Sequence, residues 1–108
     1  MSNVISLDDI RAAADKKYAS VPIDFGTGTV ELVNPLRLSQ EERDILTSIQ
    51  EALGEPGADQ VALLSDALTT VAGDKKAIKG LLAAIAGDLA LLAGVFESYQ
   101  DGVQAGEA

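Results

Sequence analysis

Two carboxylate clusters hold the side chains best suited to chemistry in this sequence: Asp8-Asp9, and Glu41-Glu42 with Asp44. Carboxylates at such spacing can bind a divalent cation or divide general-acid and general-base work between them. Each cluster, however, stands at the start of a helical pattern, just behind a serine (Ser6 or Ser39) that can cap it. There the positive end of the helix favours acidic side chains with no ligand at all. Neither cluster has EF-hand spacing, so both are read as helix starts. Lys75, Lys76 and Lys79 are the only local concentration of basic charge. They could meet an acidic partner, but a solvated helix face accounts for them. Asp24-Phe25-Gly26 spells the metal-binding tripeptide of protein kinases, without the HRD motif or glycine-rich loop of a kinase. Gly26 and Gly28 lack the third glycine and the following helix of a dinucleotide fingerprint.

Composition narrows the chemistry further. The 108 residues contain no His and no Cys. This removes Cys/His zinc sites, His-based triads, thiol nucleophiles and disulfides. Without Trp, and with two Phe and two Tyr, there is no aromatic platform for single-stranded nucleic acid. The formal net charge of −9 would repel a polyanion. Residues 1–9 lack the basic and apolar regions of a signal peptide. The expectation is an acidic cytoplasmic domain with no cofactor, no bound metal and no catalysis.

The elements follow from periodicity. Leu7, Ile10, Ala14 and Tyr18 recur at helical spacing and predict a first helix over about 7–18. Val21, Ile23 and Phe25, then Val30 and Leu32, alternate on either side of Gly26-Thr27-Gly28 and predict a β-hairpin. Pro22 makes its strand an edge. Because a lone hairpin is marginal in water, its apolar face must pack on helices or on another chain. Asn34 to Leu38 reads as an extended connector, since Pro35 biases Asn34 away from helix. Ser39 to Glu42 is a capping box opening a second helix to about Leu53, with Ile45, Leu46, Ile49 and Leu53 inward and Gly54 as its C′ stop. A third helix spans about 58–72 with Val61, Leu64, Leu68 and Val71 as its stripe.

Residues 75–100 are the most apolar part. Ile78, Leu82, Ile85, Leu89, Leu92, Phe96 and Tyr99 keep a helical period, and Leu81 and Leu91 lie off that line. Gly80, Gly87 and Gly94 recur every seven residues, which also suits one long helix with a small-residue seam. Gly87-Asp88 reads as a stop followed by a start and favours two helices. A helix that is apolar nearly all round must be covered, so this face is either core or a docking surface for a partner helix. Ile78, Leu82, Ile85, Leu89, Leu92, Phe96 and Tyr99 are therefore the candidate partner-binding residues. A membrane span over 80–96 is the competing reading, opposed by Asp88 at its middle. The expected fold is α+β, predominantly α. It has an N-terminal helix, a short β-hairpin at about 21–33 and three to four packed helices in one domain over residues 1–100. A flexible tail follows at 101–108.

Five pieces carry a family resemblance: Ile5-Ser-Leu-Asp-Asp-Ile10, Lys17-Tyr18, Asn34-Pro-Leu-Arg-Leu38, Val95-Phe-Glu-Ser-Tyr99 and Gln104-Ala-Gly-Glu-Ala108. In this order the chain resembles the tail assembly chaperones of long-tailed, siphovirus-type phages infecting actinobacteria. Residues 54–79 match least. The resemblance implies a protein of the host cytoplasm that coats the tape measure protein, keeps it from aggregating before the tail tube polymerises, and is absent from the mature virion. It also implies a second form made by ribosomal frameshifting, for which a slippery site could encode Gly106-Glu107. That longer form, or self-association, is a further partner. No residue-level binding motif comes with the resemblance. The alternatives are a small holin-like membrane protein and a structural tail adaptor.

Overall fold

A computed structural model describes residues 4–107, with side chains as far as Val103. The ends of the terminal segments discussed above, residues 1–3 and 108, lie outside the described residues. The elements are α1 (Leu7–Lys17), β1 (Val21–Asp24), β2 (Thr29–Leu32), one 3-10 turn (Pro35–Arg37), α2 (Gln40–Leu53), α3 (Gln60–Val71), α4 (Lys75–Ile85) and α5 (Leu89–Glu107). The fold is thus predominantly helical with one hairpin, as the periodicity indicates.

The hairpin is antiparallel, pairing Val21 with Leu32 and Ile23 with Val30. Its inward face buries Val30 and Leu32. The second strand is not left open. Val33 N–H donates to the Val71 carbonyl at 2.8 Å, and Gly73 N–H donates to the Glu31 carbonyl at 2.9 Å. The exit of α3 therefore acts as a short third strand against β2 and leaves β1, with Pro22, at the opposite edge. Phe25 keeps the alternation of Val21 and Ile23, half-buried against the core one residue beyond β1. Asp24 Oδ1 accepts from Gly26 N–H at 2.7 Å, and Gly26 turns at φ 93°. The Phe25 ring folds back over Gly28 and over Gly80 of α4, where a Cβ would stand 2.8 Å from the ring. Gly80 is therefore a contact that seats Phe25, not part of a seam between long helices.

α3 is the middle of the molecule. Leu68 and Val71 are fully buried, and α2, α4 and α5 all pack against α3. Ser39 completes a reciprocal capping box with Glu42 at the start of α2. The two hydrogen bonds from Ser39 hold the Glu42 carboxyl below the usual range. The helices of the apolar third are two. Ala86 and Gly87 both take left-handed backbone, at φ 54° and 75°, and Asp88 accepts from Ala90 and Leu91 N–H groups to cap α5. Splitting the segment sends its apolar faces in different directions: α4 covers β2 and α3, while α5 covers α3 and β1.

Four local expectations need correction. Asn34 to Leu38 is not simply extended: Asn34 Oδ1 accepts from Leu36 N–H at 3.0 Å and nucleates a 3-10 turn. Gly54 caps α2 with right-handed backbone at φ −79°, and the left-handed glycine of that loop is Gly57. Ile45 points outward and is 42% exposed, because the inner stripe of α2 passes through Leu46 and Ile49. The tail does not leave the helix at Asp101: α5 continues to Glu107. Gly102 lies so close to β1 that a Cβ would stand 2.7 Å from Val21, and Val103 packs on the core.

Candidate functional site

The apolar third divides on folding. Ile78, Ile85, Leu92 and Tyr99 are buried in the core. Leu82 and Phe96 are partly buried against it, and Leu89 is exposed. In this conformation a partner cannot reach the whole line of seven residues. Ile78 and Leu92, almost fully buried, belong to the core and present no surface to a partner.

Phe96 and Tyr99 nevertheless meet at an opening. α2 and α5 flank α3 and leave between them a groove of ≈ 550 Å³. Leu46, Ile49 and Leu53 of α2 form one wall, and Phe96, Tyr99 and Val103 of α5 form the other. Leu64, Ala67 and Val71 of α3 form the floor, and Pro35 closes one end. Its polar lining is limited to Gln50, Gln100 and the Tyr99 phenol. The phenol is already committed: its hydroxyl donates to the Val33 carbonyl at 2.6 Å. Burial pushes its pKa up to about 12, so it stays neutral at physiological pH. The neighbouring Asn34 is buried, and its Nδ2 has no hydrogen-bond partner among the described residues.

Two helices lie beside α3, and the space between them is apolar and open on one side. A helix laid there would be held by ridges from both walls. Sequence reasoning finds Phe96 and Tyr99 but not Leu46, Leu53, Leu64 and Val103. Leu46 and Leu53 do stand seven residues apart on one helical face, a spacing that could have marked a shared wall. Two of the carboxylates have local partners: Asp8 pairs with Arg11 of its own helix at 3.5 Å, and Glu42 belongs to the Ser39 box. Among the described residues no group of three or more acidic side chains is placed to hold a metal ion. No helix among them is long and apolar enough to cross a membrane. Lys75 is not a free solvated cation either: its ammonium bonds to the carbonyls of Thr69, Thr70 and Ala72 and caps the end of α3.

Compared with families of known proteins, the whole chain, residues 1–108, matches a family model described as mycobacteriophage tail assembly protein. No curated protein and no solved structure matches it.

Proposed function

The chain belongs to the family of mycobacteriophage tail assembly proteins, and from that premise we propose that it is a chaperone for the tape measure protein. It binds apolar helices of that protein in the groove between α2 and α5 and keeps them from aggregating while the tail is built. The observation that carries this reading is the groove itself: a largely apolar trough lined by α2, α3 and α5, with no charged lining residue. Hydrophobic burial needs no particular sequence in the ligand, which suits a helper of a long partner with many apolar helices. The net charge of −9 keeps such a surface in solution through self-repulsion. The role requires no catalytic group. It places the protein in the host cytoplasm, free of nucleic acid and membrane, and leaves it out of the finished virion. A frameshift-extended form belongs to the same reading, and peptides spanning Gly106 would reveal it by mass spectrometry.

Co-expression with the tape measure protein tests the reading. Leu46→Asp and Phe96→Asp should lower the soluble fraction of the tape measure protein and its recovery in a pull-down. Leu91→Asp, on an exposed residue outside the groove, should leave both unchanged. If groove variants with wild-type helicity and melting temperature recover the partner fully, the groove is not the site. An abundant signal in purified virions would favour a structural adaptor.

A further inference from the structure

The joint between α4 and α5 holds strain in an exposed place. Ala86 has φ 54° and is the only residue other than glycine with positive φ among the described residues. Its Cβ makes that conformation costly. Gly87 follows at φ 75°, and Ala86, Gly87 and Asp88 are all exposed. The hydrogen bonds of the joint are local. Ala86 N–H donates to the Leu82 carbonyl, Asp88 N–H donates to the Ile85 carbonyl, and Asp88 Oδ1 accepts from Ala90 and Leu91 N–H. Packing between the two helices adds little. α4 lies on β2 and α3, α5 lies on α3, β1 and α1, and the pair have little contact with each other.

The same residues suit an unbroken helix. In one, the N–H groups of Ala90 and Leu91 would pass from the Asp88 carboxylate to the carbonyls of Ala86 and Gly87, so neither donor is lost. Ala86 would return to right-handed backbone. Ile78, Ile85, Leu92 and Tyr99, all buried, stand seven residues apart. They would share one stripe of a helix over residues 75–107, about 50 Å long. Straightening carries α5 away from its own α3, and its apolar face must then be covered again. The seat that fits it is the same seat on a second copy.

We propose that two copies of this chain exchange α5 by opening the joint at Ala86 and Gly87. Each α5 then makes on the other copy the contacts it otherwise makes at home: Tyr99 with the Val33 carbonyl, Gly102 against Val21 and Leu92 in the core. Exchange of an identical element asks nothing new of those surfaces. The two straightened helices cross at their joints, where the single copy leaves apolar surface bare. Ala83, Ala84, Ala90 and Ala93 are exposed, and Leu89 and Leu91 are 39% and 51% exposed. Asp88 is the one charge between Lys79 and Glu97. Side chains this small let helices approach closely, so the crossing takes that surface out of water. The exchange also makes the α2–α5 groove a composite. Leu46 and Leu53 come from one copy, and Phe96, Tyr99 and Val103 come from the other. None of this depends on what the groove binds.

Mass and labelling together test the exchange. Samples concentrated to about 1 mM, where even a weak contact populates, should show by light scattering a second species at about twice the 11.2 kDa monomer mass. Gly87→Ala strains the closed joint and favours the straight helix. It should lower the dissociation constant of the pair about 100-fold, roughly a factor of ten for each of the two joints. Ala86→Gly acts in the opposite sense and should stay monomeric. In pairs assembled from isotope-labelled and unlabelled copies, nuclear Overhauser contacts of the Tyr99 ring with Val33 should run between copies. Gly87→Ala that stays monomeric at about 1 mM overturns the inference, as does a pair whose Tyr99–Val33 contacts stay within one copy. Ala86→Gly that pairs as readily as the wild type also overturns it. Should Gly87→Ala lose helicity by circular dichroism, the concentrated wild type carries the same labelling test. There a monomer, or contacts within one copy, overturns the inference equally.

Discussion

The hydroxyl of Tyr99, near the end of the chain, closes on the carbonyl of Val33, just after the hairpin, at 2.6 Å. This single bond ties α5 to the strand edge that α3 also pairs with. Tyr99→Phe keeps the ring and leaves the Val33 carbonyl one partner short, at a cost of about 1–3 kcal/mol. The same residue gives a pH dependence. Its folded pKa of about 12 lies above the unfolded value of about 10. The stabilisation is therefore complete below pH 10 and is lost as pH rises through 12. Urea midpoints measured across that window should fall further in the wild type than in Tyr99→Phe.

Two glycines of α5 should respond oppositely to alanine. Gly94 faces open space, so Gly94→Ala should stabilise by about 0.5–1 kcal/mol through helix propensity alone. At Gly102 a Cβ meets both methyls and the Cβ of Val21, a side chain with little rotamer freedom. Gly102→Ala should therefore destabilise by about 1–3 kcal/mol despite the same propensity gain. Thermal melts of the two variants and of Gly102→Ala/Val21→Ala give the check, the double variant recovering part of the loss.

The joint between α4 and α5 rests on two consecutive left-handed residues. Gly87→Ala should cost about 1–2 kcal/mol, since φ 75° brings Cβ against the following carbonyl. Ala86→Gly, at φ 54°, should be neutral to mildly stabilising. Chemical denaturation of both variants compares them directly.

Lys75 closes α3 from outside the helix. Lys75→Met retains the aliphatic stem and removes the cation from three carbonyls, so it should cost about 0.5–1 kcal/mol. The loss should shrink in high salt, which screens the interaction in the wild type. Hydrogen exchange of the last turn of α3 should quicken in the variant.

Much of this architecture was legible because it depends on local chemistry. Ser39 and Glu42 announce the start of α2, Asp88 announces α5, and Gly87 marks the break before it. Each of these signals acts within four residues, so neighbouring residues alone fix it. The site was legible only in part. Phe96 and Tyr99 stand on an apolar face, but a period of 3.6 cannot say which part of that face another helix will cover. Ile78 and Leu92 look the same as Phe96 in the pattern, and the fold buries the first two and leaves the third beside an opening.

The sequence by itself thus determined the starts of α1, α2 and α5, the hairpin, the acidic charge and the absence of His and Cys chemistry, all properties of residue types and their spacing. Only the tertiary structure decided that α3 stands at the centre, that its exit completes the sheet, that residues 101–107 extend α5, and that α2 and α5 stand apart over a groove. The reason is physical. Caps and turns are settled by hydrogen bonds between near neighbours, whereas burial is settled by which distant side chains arrive to exclude water.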